Sequence, residues 1–191
     1  MRARDVIAAL ARHDRQVGPD ELEAAARELS EAANTAAGRR ARADPRSGVS
    51  MTALLFGDEA SLVVIHIGVT RAYMLREELF QITHDDVLSC GPWFAEPDDP
   101  FCGLKCFDGG IDREPQIFLR EVRGCDRYVL GTPVFGRVIK AELQYEILRR
   151  RTPPERAVEQ LLVSAAPSRL PLACMVIDLM ADERTEDRRT A

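Results

Sequence analysis

The sequence predicts an α+β domain in which α-helices flank an antiparallel β-sheet or sandwich. Three observations predict it. Amphipathic helices open the chain, short apolar segments separated by turn residues fill its middle, and two further helices precede a last apolar strand. Strands grouped in one stretch and helices in others belong to a layered α+β fold; a parallel α/β fold would alternate them.

Each element has its own signal. Val6, Ile7, Leu10 and Ala11 form an apolar stripe at helical spacing. Pro19 opens a second helix, with Leu22, Ala25, Ala26, Leu29, Ala32 and Ala33 on one face. The polar segment 38–48, ending in glycine, reads as a loop. Residues 48–56 and 61–69 are apolar and β-branched and read as strands joined by a turn at 57–60. Residues 71–76 form another strand, and 78–83 continue the meander after a tight turn at Glu77 and Glu78. Residues 84–114 hold three prolines, four glycines and many charges. They read as a long loop or small subdomain, a kind of segment that often carries function. Strand character returns at 116–122 and 127–131. Residues 138–151 read as a helix. So do residues 153–165, whose start is a capping box with Thr152 as the cap and Glu155 reaching back. Residues 172–180 form a buried closing strand, and the charged tail 181–191 is expected to be disordered. One domain is expected to cover residues 1–180.

The chain has 191 residues, 46% hydrophobic and 30% charged, which suits one globular domain with a sizeable core. A formal net charge of -5 gives no basic footprint for nucleic acid. Lys105 and Lys140 are the only lysines among 26 basic residues, a bias that points to a GC-rich bacterial genome. No apolar run approaches the roughly 18–20 residues of a membrane span. The N-terminus lacks the pattern of a signal peptide, so a cytoplasmic protein is expected.

Five cysteines, an odd number in a chain of intracellular character, argue against a disulfide framework. Cys174 lies in an apolar run and reads as a core residue. His84, Cys90, Cys102 and Cys106 have the residue types of a tetrahedral zinc site, at loose spacing; free thiols are the competing reading. Trp93, Phe94, Phe101 and Phe107 crowd the long loop and are candidates for a protein interface, with a small local core as the competing reading. His66, in an alternating strand, reads as a structurally satisfied histidine rather than a base. Cys125, at a turn, has no neighbouring base or cation in sequence to activate it.

Five segments, in order, resemble motifs of the type 2C, metal-dependent serine/threonine protein phosphatases. Residues 48–56 resemble the family's glycine-threonine-threonine strand, and 64–76 the strand that reads V-G-D-S-R-A-Y. Residues 80–86 resemble L-T-x-D-H, 114–139 the stretch ending in L-x-S-D-G-L-x-D-x-V, and 172–180 the strand after D-N. The resemblance spans about residues 20–180 and implies an antiparallel β-sandwich flanked by helices. It also implies that the family's N-terminal strands, with their metal-bridging aspartate and phosphate-binding arginine, have no counterpart here. Arg71 and Asp85 match positions whose implied role is to support loop geometry.

In that family two divalent cations activate water for attack on phosphorus, and such hard cations need oxygen ligands, chiefly aspartate. Val69 stands where the G-D-S aspartate would be. Pro133 and Val134 replace the aspartate and glycine of S-D-G, Arg137 stands at the next acidic position, and Leu170 and Pro171 replace the last aspartate and asparagine. The resemblance therefore implies a degenerate pocket of Val69, Thr70, Thr132, Pro133, Arg137 and Leu170 that holds no magnesium or manganese and no other cofactor. The expected protein is a pseudophosphatase that binds a protein partner and shields phosphorylated segments if it meets them. The incomplete sheet is expected to be covered by a second copy of the chain or by a partner protein. The alternative is a metal-free enzyme acting on a small molecule in the repurposed pocket, where Arg137 would pair with a phosphate or carboxylate.

Overall fold

A computed structural model describes residues 17–43, 48–58, 60–86, 106–110, 114–168 and 172–179. The expected first helix, the tail 181–191 and most of the loop 84–114 lie outside these residues. The fold is α+β, with antiparallel sheets flanked by α-helices, as the sequence predicts. Two compact units make it up, Met1–Thr70 with His84–Glu121, and Arg71–Thr83 with Val122–Ala191.

The first unit is a three-stranded sheet under one long helix. Strands β1 (Met51–Phe56), β2 (Ser61–Ile67) and β5 (Gln116–Glu121) pair antiparallel in the order β1-β2-β5. Every residue of β2 is buried, as its position between two neighbours and its continuous apolar run require. Helix α1 (Pro19–Ala41) sets Leu22, Ala25 and Ala26 against Val63 and Ile65, and small alanines let helix and sheet approach closely.

Helix α1 runs three residues beyond the glycine at which the sequence predicts its loop. Gly38 is a crossing point, not a stop. A Cβ there would lie 2.7 Å from the Gly109 Cα, so only glycine lets segment 106–110 pass over the helix. Asn34 ties the crossing: its Nδ2 donates to the Gly110 carbonyl at 3.0 Å, and its Oδ1 accepts from the Gly109 N–H at 2.9 Å. Phe107, an interface candidate in sequence, is a core residue instead. It is 1% exposed beside Ala37 and Ile67, and its backbone bridges Val49 with bonds of 2.9 and 3.0 Å. Trp93, Phe94 and Phe101 lie outside the described residues.

The second unit is a four-stranded antiparallel sheet in the order β4-β3-β6-β7: β3 (Arg71–Leu75), β4 (Leu79–Gln81), β6 (Arg127–Gly131) and β7 (Cys174–Asp178). Helices α2 (Phe135–Val138), α3 (Ala141–Leu148) and α4 (Pro154–Ala165) cover it. Tyr73, Leu75, Val129 and Val176 meet Phe135, Ile139, Ile147, Leu148, Ala157 and Leu161 in one core. Cys174 packs at its margin, half-buried, and burial pushes its thiol up.

Two helix expectations fail here for identifiable reasons. The helix predicted from Val138 is interrupted at Ile139, whose backbone is extended (φ -103, ψ 117) while its side chain is 1% exposed in the core. The buried Gln144 amide donates to the Ile139 carbonyl at 2.6 Å and holds that break. The capping box at Thr152 does not form. Pro153 is the N-cap, without a side-chain cap bond, and the Thr152 hydroxyl has no partner among the described residues.

What Thr152 contributes is its carbonyl. Arg127, 0% exposed, donates from Nη2 to the Thr152 carbonyl at 2.6 Å and from Nη1 to the Leu148 carbonyl at 3.0 Å. Its Nε and Nη2 also grip both carboxylate oxygens of Asp178, at 2.5 and 2.6 Å. One guanidinium thus joins β6, β7, the end of α3 and the start of α4. A second pair, Arg76 with Asp126, has bonds of 2.8 Å to each oxygen. Burial works to raise the Asp126 carboxyl. The hydrogen bonds from Arg76 and the Arg123 N–H, together with the Arg76 charge, outweigh it and hold the carboxyl below its ordinary value.

Chemical denaturation of Arg127→Leu is expected to lose about 3–5 kcal/mol, the usual cost of stranding one partner of a buried pair. Arg149→Ala, which breaks a pair exposed on both sides, is expected to change little. A depressed Asp126 contributes stability above its unfolded value of about 4 that is lost as pH falls through the lower folded value. Asp126→Asn should therefore be less stable than the parent chain at neutral pH, with the two converging in acid; an equal gap at both ends contradicts the assignment.

Candidate functional site

The resemblance to a phosphatase directs attention to two turns, one in each unit. In the first unit the chain leaves β2 through Gly68, Val69 and Thr70. Gly68 has φ +97, and a Cβ would collide with the Ser50 side chain, so the turn requires glycine. Three side chains hold it. Asp86 Oδ2 accepts the Gly68 N–H at 3.1 Å, while the Asp86 N–H returns a 2.8 Å bond to the Gly68 carbonyl. Asp86 Oδ1 takes the Gln116 amide at 2.8 Å. Ser50 Oγ receives the Val69 N–H at 3.4 Å.

Beside this clip runs a chain of hydroxyls. Thr52 Oγ1 lies 2.7 Å from Thr70 Oγ1, 2.9 Å from His66 Nδ1 and 3.1 Å from the Thr70 carbonyl. His66 Nε2 lies 2.8 Å from the His84 carbonyl. His66 is 0% exposed, and burial lowers its pKa. The His84 carbonyl and the Asp86 and Asp85 charges resist that shift without overcoming it. The imidazole is therefore neutral at neutral pH and hydrogen-bonded at both nitrogens.

In the second unit the chain leaves β6 through Thr132, Pro133 and Val134. The Thr132 N–H donates to the Ala173 carbonyl at 3.0 Å, and Thr132 Oγ1 accepts the Ala173 N–H at 3.2 Å. The Phe135 N–H donates to the Thr132 carbonyl at 2.9 Å and opens α2. The Arg71 guanidinium and the Tyr73 hydroxyl lie against Gly136, which places Arg71 at this turn. Arg137 is exposed.

Of the pocket residues predicted from sequence, Val69 and Thr70 share the first turn, Thr132 and Pro133 share the second, and Arg137 lies on the short helix α2 that follows it. Leu170 lies outside the described residues. The turn clip is Asp86, one residue beyond the aspartate that the resemblance points to. Neither Ser50, Thr52 nor Gln116 has a spacing that betrays its role. The proposed zinc ligands are not assembled among the described residues: His84 and Cys106 are described, Cys90 and Cys102 are not. No group of three or more His, Cys, Asp or Glu among the described residues could hold a metal ion. A cleft of about 400 Å³ between α1 and the start of β5, lined in part by Arg27, Glu31, Asn34 and Glu114, lies away from both turns in sequence.

No family model matches the chain. It is 33% identical over 160 residues to the serine/threonine protein phosphatase PstP of two Mycobacterium tuberculosis strains; the match takes in 75% of this chain and 30% of those relatives. The chain thus spans about a third of the curated relatives' length. Among solved structures, the serine/threonine phosphatase PstP/Ppp of Mycobacterium tuberculosis is 30% identical with a TM-score of 0.64, covering 92% of this chain and 80% of that one. The catalytic domain of PstP in complex with two manganese ions is 27% identical at a TM-score of 0.59, covering 92% and 81%. Serine/threonine phosphatase Stp1 from Staphylococcus aureus shares the fold at 15% identity and a TM-score of 0.67, covering 88% and 71%.

Asp86→Ala removes the acceptor for the Gly68 N–H and for the Gln116 amide. Thermal melts should show a loss of about 1–3 kcal/mol, the cost of stranding buried donors, with hydrogen exchange at Gly68 accelerated. Unchanged exchange at Gly68 would contradict the clip.

Proposed function

Because the chain belongs to the PstP-like, type 2C family of serine/threonine phosphatases, we propose that it is a catalytically inactive member, a pseudophosphatase that acts by binding protein. The observation that carries this reading is the turn at Val69. The family motif puts an aspartate there, and this chain puts a side chain with no lone pair to offer a cation. The nearby carboxylate of Asp86 already serves two neutral donors, the Gly68 N–H and the Gln116 amide. The described residues do not offer a two-metal centre. Pro133 at the second turn and Arg137 on the helix after it point the same way, since proline offers a cation no ligand and Arg137 would repel one.

A second copy of the chain is the partner we favour. Strand β7 pairs with β6 alone among the described residues, and Met175 on it is 56% exposed. On α4, which packs against β7, Leu162 is 41% and Val163 73% exposed. A strand edge and apolar side chains on one unit are the ingredients of a strand-addition or helix-packing interface. Among the described residues no helix is long and apolar enough to cross a membrane.

Light scattering is expected to give the mass of a dimer, and Val163→Asp should shift it to a monomer; a monomeric parent chain contradicts the self-association. On the same sample, a phosphothreonine peptide incubated with manganese should release no phosphate above the protein-free control. Steady metal-dependent release overturns the non-catalytic reading.

A further inference from the structure

On α1 the residues Arg27, Ser30, Glu31 and Asn34 recur at helical spacing and form one polar stripe. That stripe lines a cleft of about 400 Å³, a concave space of the size that takes a ligand group. The start of β5, at Glu114, Pro115 and Ile117, forms the other wall, and Phe107 adds apolar surface. Asn34 spends its amide on the Gly109 N–H and the Gly110 carbonyl. Ser30, 4% exposed, donates its proton to the Ala26 carbonyl at 2.7 Å, so its oxygen keeps only lone pairs. Glu31 and Glu114 make no hydrogen bond or ion pair among the described residues. Arg27 has Glu23 beside it, one turn back, at 3.8 Å. Two unpaired carboxylates thus line the cleft, and its one described cation already has a carboxylate neighbour.

The wall opposite the stripe is also a strand edge. Among the described residues β5 pairs with β2 alone and stands at the end of the order β1-β2-β5. Its outer N–H and C=O groups are therefore open to a further strand. Strand alternation puts Leu119 on the side of Ile117, which packs toward α1, and Leu119 is 47% exposed. An open edge, an exposed apolar position and an acidic cleft two residues back lie in one line.

We propose that this edge and cleft are a docking site for an extended segment of a partner protein, which adds as a strand to β5 and carries a lysine or arginine into the cleft. An apolar side chain two residues away on the same segment packs against Leu119. Main-chain bonds to the edge supply affinity, and alternate side chains supply selectivity. A lysine or arginine head brings donors and no acceptor, matching Glu31, Glu114 and the Ser30 oxygen. Its aliphatic stem covers Phe107 and Ile117. An acidic side chain in its place would face the two unpaired carboxylates. The site is in the first unit and the proposed self-association surface in the second, so this inference goes beyond the non-catalytic reading and does not depend on it.

The test is a titration of the full chain, followed by nuclear magnetic resonance, with a synthetic peptide that places a valine and a lysine two residues apart among threonines. Saturable shifts are expected at the amides of 117–121 and of 27–34. The same peptide with glutamate for lysine should bind about tenfold more weakly or worse. A copy N-methylated at alternate residues, on the edge that meets β5, should not bind. Glu31→Gln combined with Glu114→Gln should weaken the lysine peptide by about fivefold, as the loss of two exposed charge pairs implies. Both positions are exposed, so the melting temperature of that variant should match the parent chain. A glutamate or N-methylated peptide that binds as well as the lysine peptide overturns the proposal, as does the absence of saturable shifts at 117–121. Butylammonium that binds as tightly as the lysine peptide would make the cleft a small-cation site and overturn the strand addition.

Discussion

The second unit depends on one buried charge. Arg127 has no solvent to fall back on, and four hydrogen bonds replace it: two to Asp178 and one each to the Leu148 and Thr152 carbonyls. An ion in the interior is tolerable only when its partners satisfy it completely. That requirement fixes where α3 stops, where α4 starts and how β7 lies beside β6. The apolar core of Leu148, Leu161 and Val176 packs among the same elements. The second turn, which leaves β6 at Thr132, inherits its position from the same strand.

The first unit uses neutral donors and one carboxylate for a comparable purpose. Gly68, Val69 and Thr70 are held by Ser50, Asp86 and, through the hydroxyl chain, Thr52. The turn therefore has internal supports of its own, and a bound cation is not needed to shape it. A phosphatase turn must keep carboxylates open toward a metal. Here the available carboxylate is turned back onto the backbone, and the position that the family gives to an aspartate carries valine. Fold and chemistry are separable at such a point: a sheet rests on apolar and backbone contacts, whereas metal-dependent activity rests on a few oxygen atoms.

Much of the architecture was legible because it is local. The apolar runs 61–69 and 71–76 and the stripe of Leu22, Ala25 and Ala26 each state their own structure through local pattern. The misreadings all concern groups distant in sequence. Gly38 looks like a helix stop until Gly109 crosses it, and Thr152 looks like a cap until Arg127 claims its carbonyl. Ile139 reads as helical until the core draws its side chain inward. Phe107 reads equally as an interface aromatic or a local core residue until the bridge to Val49 is in place. The departures from the family motif at Val69, Pro133 and Arg137 are readable because a motif marks those positions. Asp86, Ser50 and Gln116 were not, since their shared turn exists only after β1, β2 and β5 have paired.

The central claim is that this family member has lost its metal centre, and calorimetric titration of the purified chain with manganese tests it most directly. The account predicts no saturable heat and no bound manganese after dialysis. Two equivalents of manganese bound tightly per chain would contradict it, because the oxygen ligands would then have to come from residues other than those the family motifs mark.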